Sequence, residues 1–394
     1  MTSELNSLSE KIAKYVDTFA ETLTAFVTDL VRIPSQTGSE EQVARFIAQT
    51  MTDLGYDEVS IDEYGSVIGR VGTGEQKILF DGHIDTVAVN DADLWLEPPF
   101  GGNLIGDRLY GRGASDMKGA VAATVFMAAA ARDLGLLQGK SLYISASSLE
   151  EDFDGESLFH ICKSVRPDAV LICEPSQNNI VLGQKGRAVL RIDFSGVSAH
   201  GSAPEDGINA IYKASEIISR ISHKADELHA TPGSGSLALT CIESEAVSLN
   251  AVPARCSLYL DRRLQPGEDL DFITAEMDEL LSGSDAEWSV HTSVGTAWTG
   301  TKVSLFSFLP AWEIPLHHPL TEAMFSAFRE AFFIEPQTRR WDFSTNGVAS
   351  AKLGIPTIGF GPGDDKLAHT RDEYVSVSQI LKACEFWLHL LLYL

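Results

Sequence analysis

The sequence predicts an α/β protein: a mixed, partly parallel sheet flanked by helices, with a smaller α+β domain inserted into it. Three observations carry that expectation. Between residues 58 and 173 short apolar runs alternate with helical stretches, as in folds with a parallel sheet. From Lys185 the order changes to β-α-β-β-α-β, which is that of a ferredoxin-like domain. After about Gly300 helix and strand patterns of the first kind return. The expected division is residues 1–184 for the first part of the main domain, 185–297 for the inserted domain and 298–394 for the second part. A chain of 394 residues has room for roughly 2–3 domains.

The elements follow in order. Apolar residues recur at helical spacing from about Leu8 to Val31, including Ile12, Tyr15, Val16, Phe19, Leu23, Phe26, Val27 and Leu30, until Pro34 and Gly38 stop the pattern. A second helix fits Glu40–Leu54 and ends at Gly55. Strands fit Glu58–Ile61, Val67–Val71 and Lys77–Phe80. Asp116–Leu134 reads as a helix with Asp116 at its N-terminus and Gly135 past its end. Strands at Leu142–Ser147 and Ala169–Cys173 flank a helix near Gly155–Val165. In the inserted domain, strands fit Ala188–Phe194, Ser236–Ile242, Ala254–Asp261 and Ala286–Thr292, and helices fit Gly207–Ile221 and Asp269–Leu281. A linker rich in Pro and Trp then leads to helix Leu320–Phe333, strand Thr357–Phe360 and a closing helix over Ser376–Leu394.

Composition excludes some functions. The net charge of −25, with no basic stripe, argues against nucleic acid and against an anionic membrane surface. Five cysteines without close pairs or a CxxC fit a reducing compartment, so the expected location is cytoplasmic. No basic stretch followed by an apolar core opens the chain, and the alanine-rich run Ala120–Ala131 is too short to span a membrane.

The chemistry gathers at strand ends. His83 and Asp85 close the run Ile78–Phe80. Asp116 sits among glycines in Gly111-Arg-Gly-Ala-Ser-Asp-Met-Lys-Gly119. Glu150 and Glu151 follow Tyr143–Ser147, Glu174 follows Ala169–Cys173, and His369 follows Thr357–Gly363. In α/β sheets ligands bind beyond the C-terminal strand ends. Buried acids there are costly unless positive charge lies among them, and a pair of divalent ions meets that need. Nitrogen and oxygen ligands without thiolate suit Zn²⁺, and also Mn²⁺ or Co²⁺. The adjacent Glu150 and Glu151 allow one carboxylate to ligate while the other moves protons between water and a leaving amine.

These residues resemble the co-catalytic metallopeptidases and deacylases typified by acetylornithine deacetylase, succinyl-diaminopimelate desuccinylase and glutamate carboxypeptidase. The resemblance runs from about Val27 to the C-terminal helix. Gly82-His-Ile-Asp-Thr86, the Asp116 motif, the Glu pair, Cys173-Glu-Pro175 and the late His369 occur in the family's order. It implies a zinc-exopeptidase-like sheet with a lid domain that also dimerises. It further implies two metal ions, one held by His83 and Glu174 and the other by Glu151 and His369, with Asp116 shared. Glu150 would be the general base, and Asp85 would orient the imidazole of His83. Gly196-Val-Ser-Ala-His200-Gly-Ser-Ala-Pro204 resembles the family's lid motif, whose histidine serves the partner subunit's site; a homodimer is implied. Asn250 and Arg263 match substrate-binding positions. Asn346 and Gly347 lie in Ser344-Thr-Asn-Gly347, where many relatives carry a Gly-Gly-Thr-Asp-like loop, and would also meet substrate. Gln184-Lys-Gly-Arg187, Tyr259–Arg263 and Trp341–Val348 resemble a branch of selenium-metabolism-linked hydrolases. Arg187 itself reads as structural. The implied substrate is a small N-acyl amino acid or short peptide. The alternatives are a metal-binding scaffold without activity and a related reaction on a carbamoyl or diamino acid substrate. The intact Glu150 argues against a scaffold.

Overall fold

The computed structural model describes residues 2–394. Its larger sheet runs in the order 58–61, 67–71, 140–147, 76–83, 169–172, 357–359, 180–184 and 312–313, and strand Thr338–Trp341 also pairs with Ile180–Gln184. The four central strands, from 140–147 to 357–359, are mutually parallel, and the pairings outside them are mostly antiparallel. Central strands are apolar throughout because both faces are covered. In Gln76–His83 the last six residues are buried, and all of Ala169–Ile172 is.

Helix Gly119–Asp133 is buried on every side from Gly119 to Ala131. Its alanines let it pack closely against the sheet, helix Thr2–Arg32 and helix Val377–Leu390. It does not begin at Asp116, as the sequence suggested. Residues Ala114–Lys118 form a tight turn in which Asp116 (φ −123°, ψ 88°) and Met117 (φ −139°, ψ 37°) leave helical geometry. The amide of Asp116 donates outside the helix, to Glu373. Lys118 closes the turn: it is fully buried, and its ammonium donates to the carbonyls of Leu30 and Ile33 at the end of the first helix.

The inserted domain has the expected ferredoxin-like topology. Its sheet runs 236–245, 255–264, 186–195, 287–290, antiparallel throughout, and is covered by helices Ala210–Ala230 and Leu270–Leu280. The stretch expected to be a linker is more ordered than its composition suggests. Thr292–Thr296 and Lys302–Phe306 form a hairpin, Phe308–Leu309 extends the lid sheet past residue 297, and Trp312–Glu313 joins the larger sheet. The two crossings between domains therefore run side by side. Leu309 is opposite Arg187 and Trp312 opposite Gln184. Gly186 allows this closeness, since a Cβ there would lie 2.4 Å from the Leu309 carbonyl oxygen. A small sheet of 103–105, 108–110 and 374–376 was also not anticipated, because three-residue strands carry almost no periodicity. No described helix is long and apolar enough to cross a membrane.

Gly359 shows how tightly the central sheet is filled. A Cβ there would stand 2.2 Å from the ring of the fully buried Trp341. Gly359→Ala is expected to cost about 1–3 kcal/mol of stability, read as a lower urea midpoint with unchanged slope.

Candidate metal centre

Parallel register gathers the site residues at one end of the sheet. His83, the last residue of its strand, pairs with Ser147, and the chain then turns into Glu150 and Glu151. On the other side Asp81 pairs with Ile172, two residues before Glu174. The carboxylate of Asp116 spans two imidazoles: Oδ1 lies 2.9 Å from His83 Nε2 and Oδ2 lies 3.3 Å from His369 Nε2. Glu174 and Glu150 approach His83 Nε2 at 3.7 and 3.9 Å, and Glu151 approaches His369 Nε2 at 2.9 Å. Ligand-type atoms of His83, Asp116 and Glu151, and of His83, Glu150 and Glu174, all lie within 4.8 Å of one another. Distance to His83 does not separate Glu150 from Glu174.

The electrostatics of this cluster call for added positive charge. Burial pushes the carboxyls of Glu150 and Glu174 well above the usual range, against the opposing pull of His83. Burial acts the same way on Asp116, but hydrogen bonds from His369 and His83 outweigh it and hold that carboxyl low. Hydrogen bonds to Asp116 and Glu151 push His369 up to about 10. Protons thus stand where divalent cations would fit. The oxygen and nitrogen donor set, lacking thiolate, suits Zn²⁺, Mn²⁺ or Co²⁺.

Asp85 is fully buried, but its carboxylate does less for His83 than expected. His83 Nδ1 is 3.0 Å from the Asp85 backbone carbonyl and 3.7 Å from its carboxylate. The carboxylate instead accepts from the amides of Glu150 and Glu151, both at 3.0 Å, and from Thr37. It fixes the turn that presents the glutamate pair.

A cavity of about 280 Å³ opens over the cluster, between main domain and lid. Arg263 lines it, as expected of a substrate residue, and is held by Asp261 at 2.7 and 3.2 Å. Arg187, read from the sequence as structural, lines it too. It lies directly across from Arg263, with loose pairs to Asp154 (3.5 Å) and Asp261 (3.4 Å). Strand alternation, which puts positions facing each other on one side, was the signal for it. Phe343 and Ser344 also line the cavity. Asn346 and Gly347 do not, against expectation. The Asn346 side chain is buried and saturated by Gly155, Asp81 and Ser147, and Gly347 packs beneath Trp312. His200 and Asn250 lie outside the cavity, on two exposed lid loops that meet where the Gly201 amide donates to the Asn250 carbonyl.

The chain is 35% identical over 358 residues to the uncharacterised protein YgeY of Escherichia coli strain K12, covering 89% of each. It is 27% identical over 356 residues to acetylornithine deacetylase of Photorhabdus laumondii, covering 87% of each. Its fold is similar to that of the dipeptidase Dug1p of Saccharomyces cerevisiae, with a TM-score of 0.73 at 15% identity, covering 100% of this chain and 99% of that one. YXEP of Bacillus subtilis, a dinuclear metal-binding peptidase, gives 0.63 at 15% identity, covering 95% and 98%. The model of peptidase family M20/M25/M40 matches residues 79–393, from the strand that ends in His83 to the closing helix, and the chain belongs to that family.

Proposed function

We propose that the protein is a dinuclear metallohydrolase that cleaves an amide bond in a small N-acyl amino acid or short peptide. One observation carries the reading: Asp116 offers its two oxygens to two different imidazoles, with a separate glutamate beside each. His83, Asp116 and Glu174 would hold one ion, and Asp116, Glu151 and His369 the other, with Zn²⁺ the first candidate. Such ions supply Lewis acidity toward a carbonyl and toward water. Glu150, buried with a raised carboxyl pKa, takes the proton of the attacking water and passes it to the leaving amine. Arg187 and Arg263 bind the substrate carboxylate from the lid side. His200 donates to the developing oxyanion in the partner's cavity, so the working unit is a homodimer. Support for pairing through the lid comes from the open outer edge of strand Ser236–Glu245 and from exposed Tyr212, Ile242, Val247 and Leu249.

The direct experiment is a hydrolysis screen of metal-reconstituted protein against N-acetyl, N-succinyl and N-carbamoyl amino acids and dipeptides. No turnover across that panel would sink the reading. Added Zn²⁺ should raise the melting temperature over an EDTA-treated sample, by about 2.7 kcal/mol of stability at a hundredfold excess over Kd. Glu150→Ala should lose about 10²–10⁴-fold in turnover with metal content intact, and Glu151→Ala should lose metal. The reverse outcome would exchange the two roles.

Subunit mixing tests His200. Glu150→Ala and His200→Ala proteins, each inactive, should together regain roughly a quarter of wild-type activity. Random pairing makes half the dimers hybrid, and each hybrid has one complete site. No recovery after verified exchange would place His200 outside catalysis in trans.

A further inference from the structure

We infer that Glu373 is a positioning residue for the metal centre, joining the segment that carries Asp116 to the segment that carries His369. The inference rests on the two-metal reading. Glu373 is fully buried, and both carboxylate oxygens are occupied. Oε1 accepts from the amides of Ser115 (2.8 Å) and Asp116 (3.0 Å). Oε2 accepts from the amide of Gly113 (3.1 Å) and from the guanidinium of Arg112 (2.7 Å). The Glu373 carbonyl accepts from the Gly111 amide at 2.8 Å. Every one of these donors lies in the loop 111–116. Arg112 is itself held, with its guanidinium over the ring of the buried Trp95 at 5.1 Å. A buried carboxylate met by four donors is a strong, directional clamp.

The other end of the clamp is short and stiff. Only three residues separate Glu373 from His369, and two residues of this turn, His369 (φ +61°) and Asp372 (φ +57°), are left-handed. Non-glycine residues persist there only where their surroundings hold them. The Asp372 carboxylate accepts from the Leu96 amide at 2.7 Å, which anchors the turn from outside. Two of the three ligands of one ion, Asp116 and His369, therefore ride on segments that Glu373 ties together. For the other ion, with His83, Asp116 and Glu174, only one ligand does. A purely structural role would weaken both ions alike. A positioning role weakens the Asp116–Glu151–His369 ion selectively.

Glu373→Gln replaces one acceptor oxygen with a carboxamide NH2, a donor facing other N–H donors. Metal-free wild type and this variant would be titrated with Co²⁺, followed by calorimetry and by the visible absorption of the bound ion. The wild type should take up two equivalents. The variant should bind the second about 10–100-fold more weakly, with an altered spectrum for that equivalent, and the first, which shares Asp116, more weakly by a clearly smaller factor. Arg112→Gln removes one donor of the four and should act on the second equivalent in the same direction by a smaller factor; it carries the test if Glu373→Gln does not fold. Unchanged binding, or equal weakening of both equivalents, overturns the inference. A wild type that takes up fewer than two equivalents overturns the two-metal reading itself, which is a separate result.

Discussion

Four carboxylates, Asp116, Glu150, Glu151 and Glu174, mostly buried, are crowded around two imidazoles, His83 buried among them and His369 exposed at the cavity. Burial alone makes such a cluster unfavourable, and mutual repulsion adds to the cost. Much of the main domain is arranged to hold it in place. Parallel strands deliver His83, Glu150, Glu151 and Glu174 to one end of the sheet in fixed register. Backbone amides then do the fine placement, those of Glu150 and Glu151 on Asp85 and that of Asp116 on Glu373. Removing any of these supports would leave a buried charge or an unpaired donor, so the supports are as constrained as the ligands.

Beneath the cluster the structure is apolar and rigid. Phe80, on the strand that ends in His83, meets Trp387 edge to face at 5.7 Å, and Phe360 meets Phe386 at 4.0 Å. Both contacts tie the sheet to the closing helix. The alanine helix fills the remaining space mostly with methyl groups, with Val121, Val125, Phe126 and Met127 buried among them. A site of this kind needs its ligands held to fractions of an ångström, and a close-packed base provides that.

The sequence revealed much of this and missed the rest for identifiable reasons. Motif residues were legible because each is a polar group at the end of an apolar run or, for Asp116, among glycines, a local pattern. The ferredoxin-like lid was legible from alternation along Ala188–Phe194 and its neighbours. The start of the alanine helix was misplaced because the partner of the Asp116 amide lies 257 positions away, at Glu373. Asn346 looked like a substrate residue from its loop, but its amide is spent on Gly155, Asp81 and Ser147, all remote in sequence. Arg187 looked structural because its proximity to Arg263 exists only once the two strands pair. Local chemistry was readable, whereas the long-range destination of a hydrogen bond was not.

The paired crossings between the domains have a mechanical consequence. Residues 184–187 and 309–312 run as paired strands, held further by Arg263 and Leu264 opposite Arg187 and Gly186 and by Trp341 opposite Gln184, and form a strap rather than two separate threads. A strap of this kind flexes out of its own plane at little cost, since that preserves the hydrogen bonds between its strands. Swivelling about its long axis or shearing sideways would break them. A rocking of the lid out of that plane would carry Arg187 and Arg263 together, since the two are paired across neighbouring strands. Arg187 sits on the strap itself, so any such rocking moves a cavity-lining guanidinium from its root.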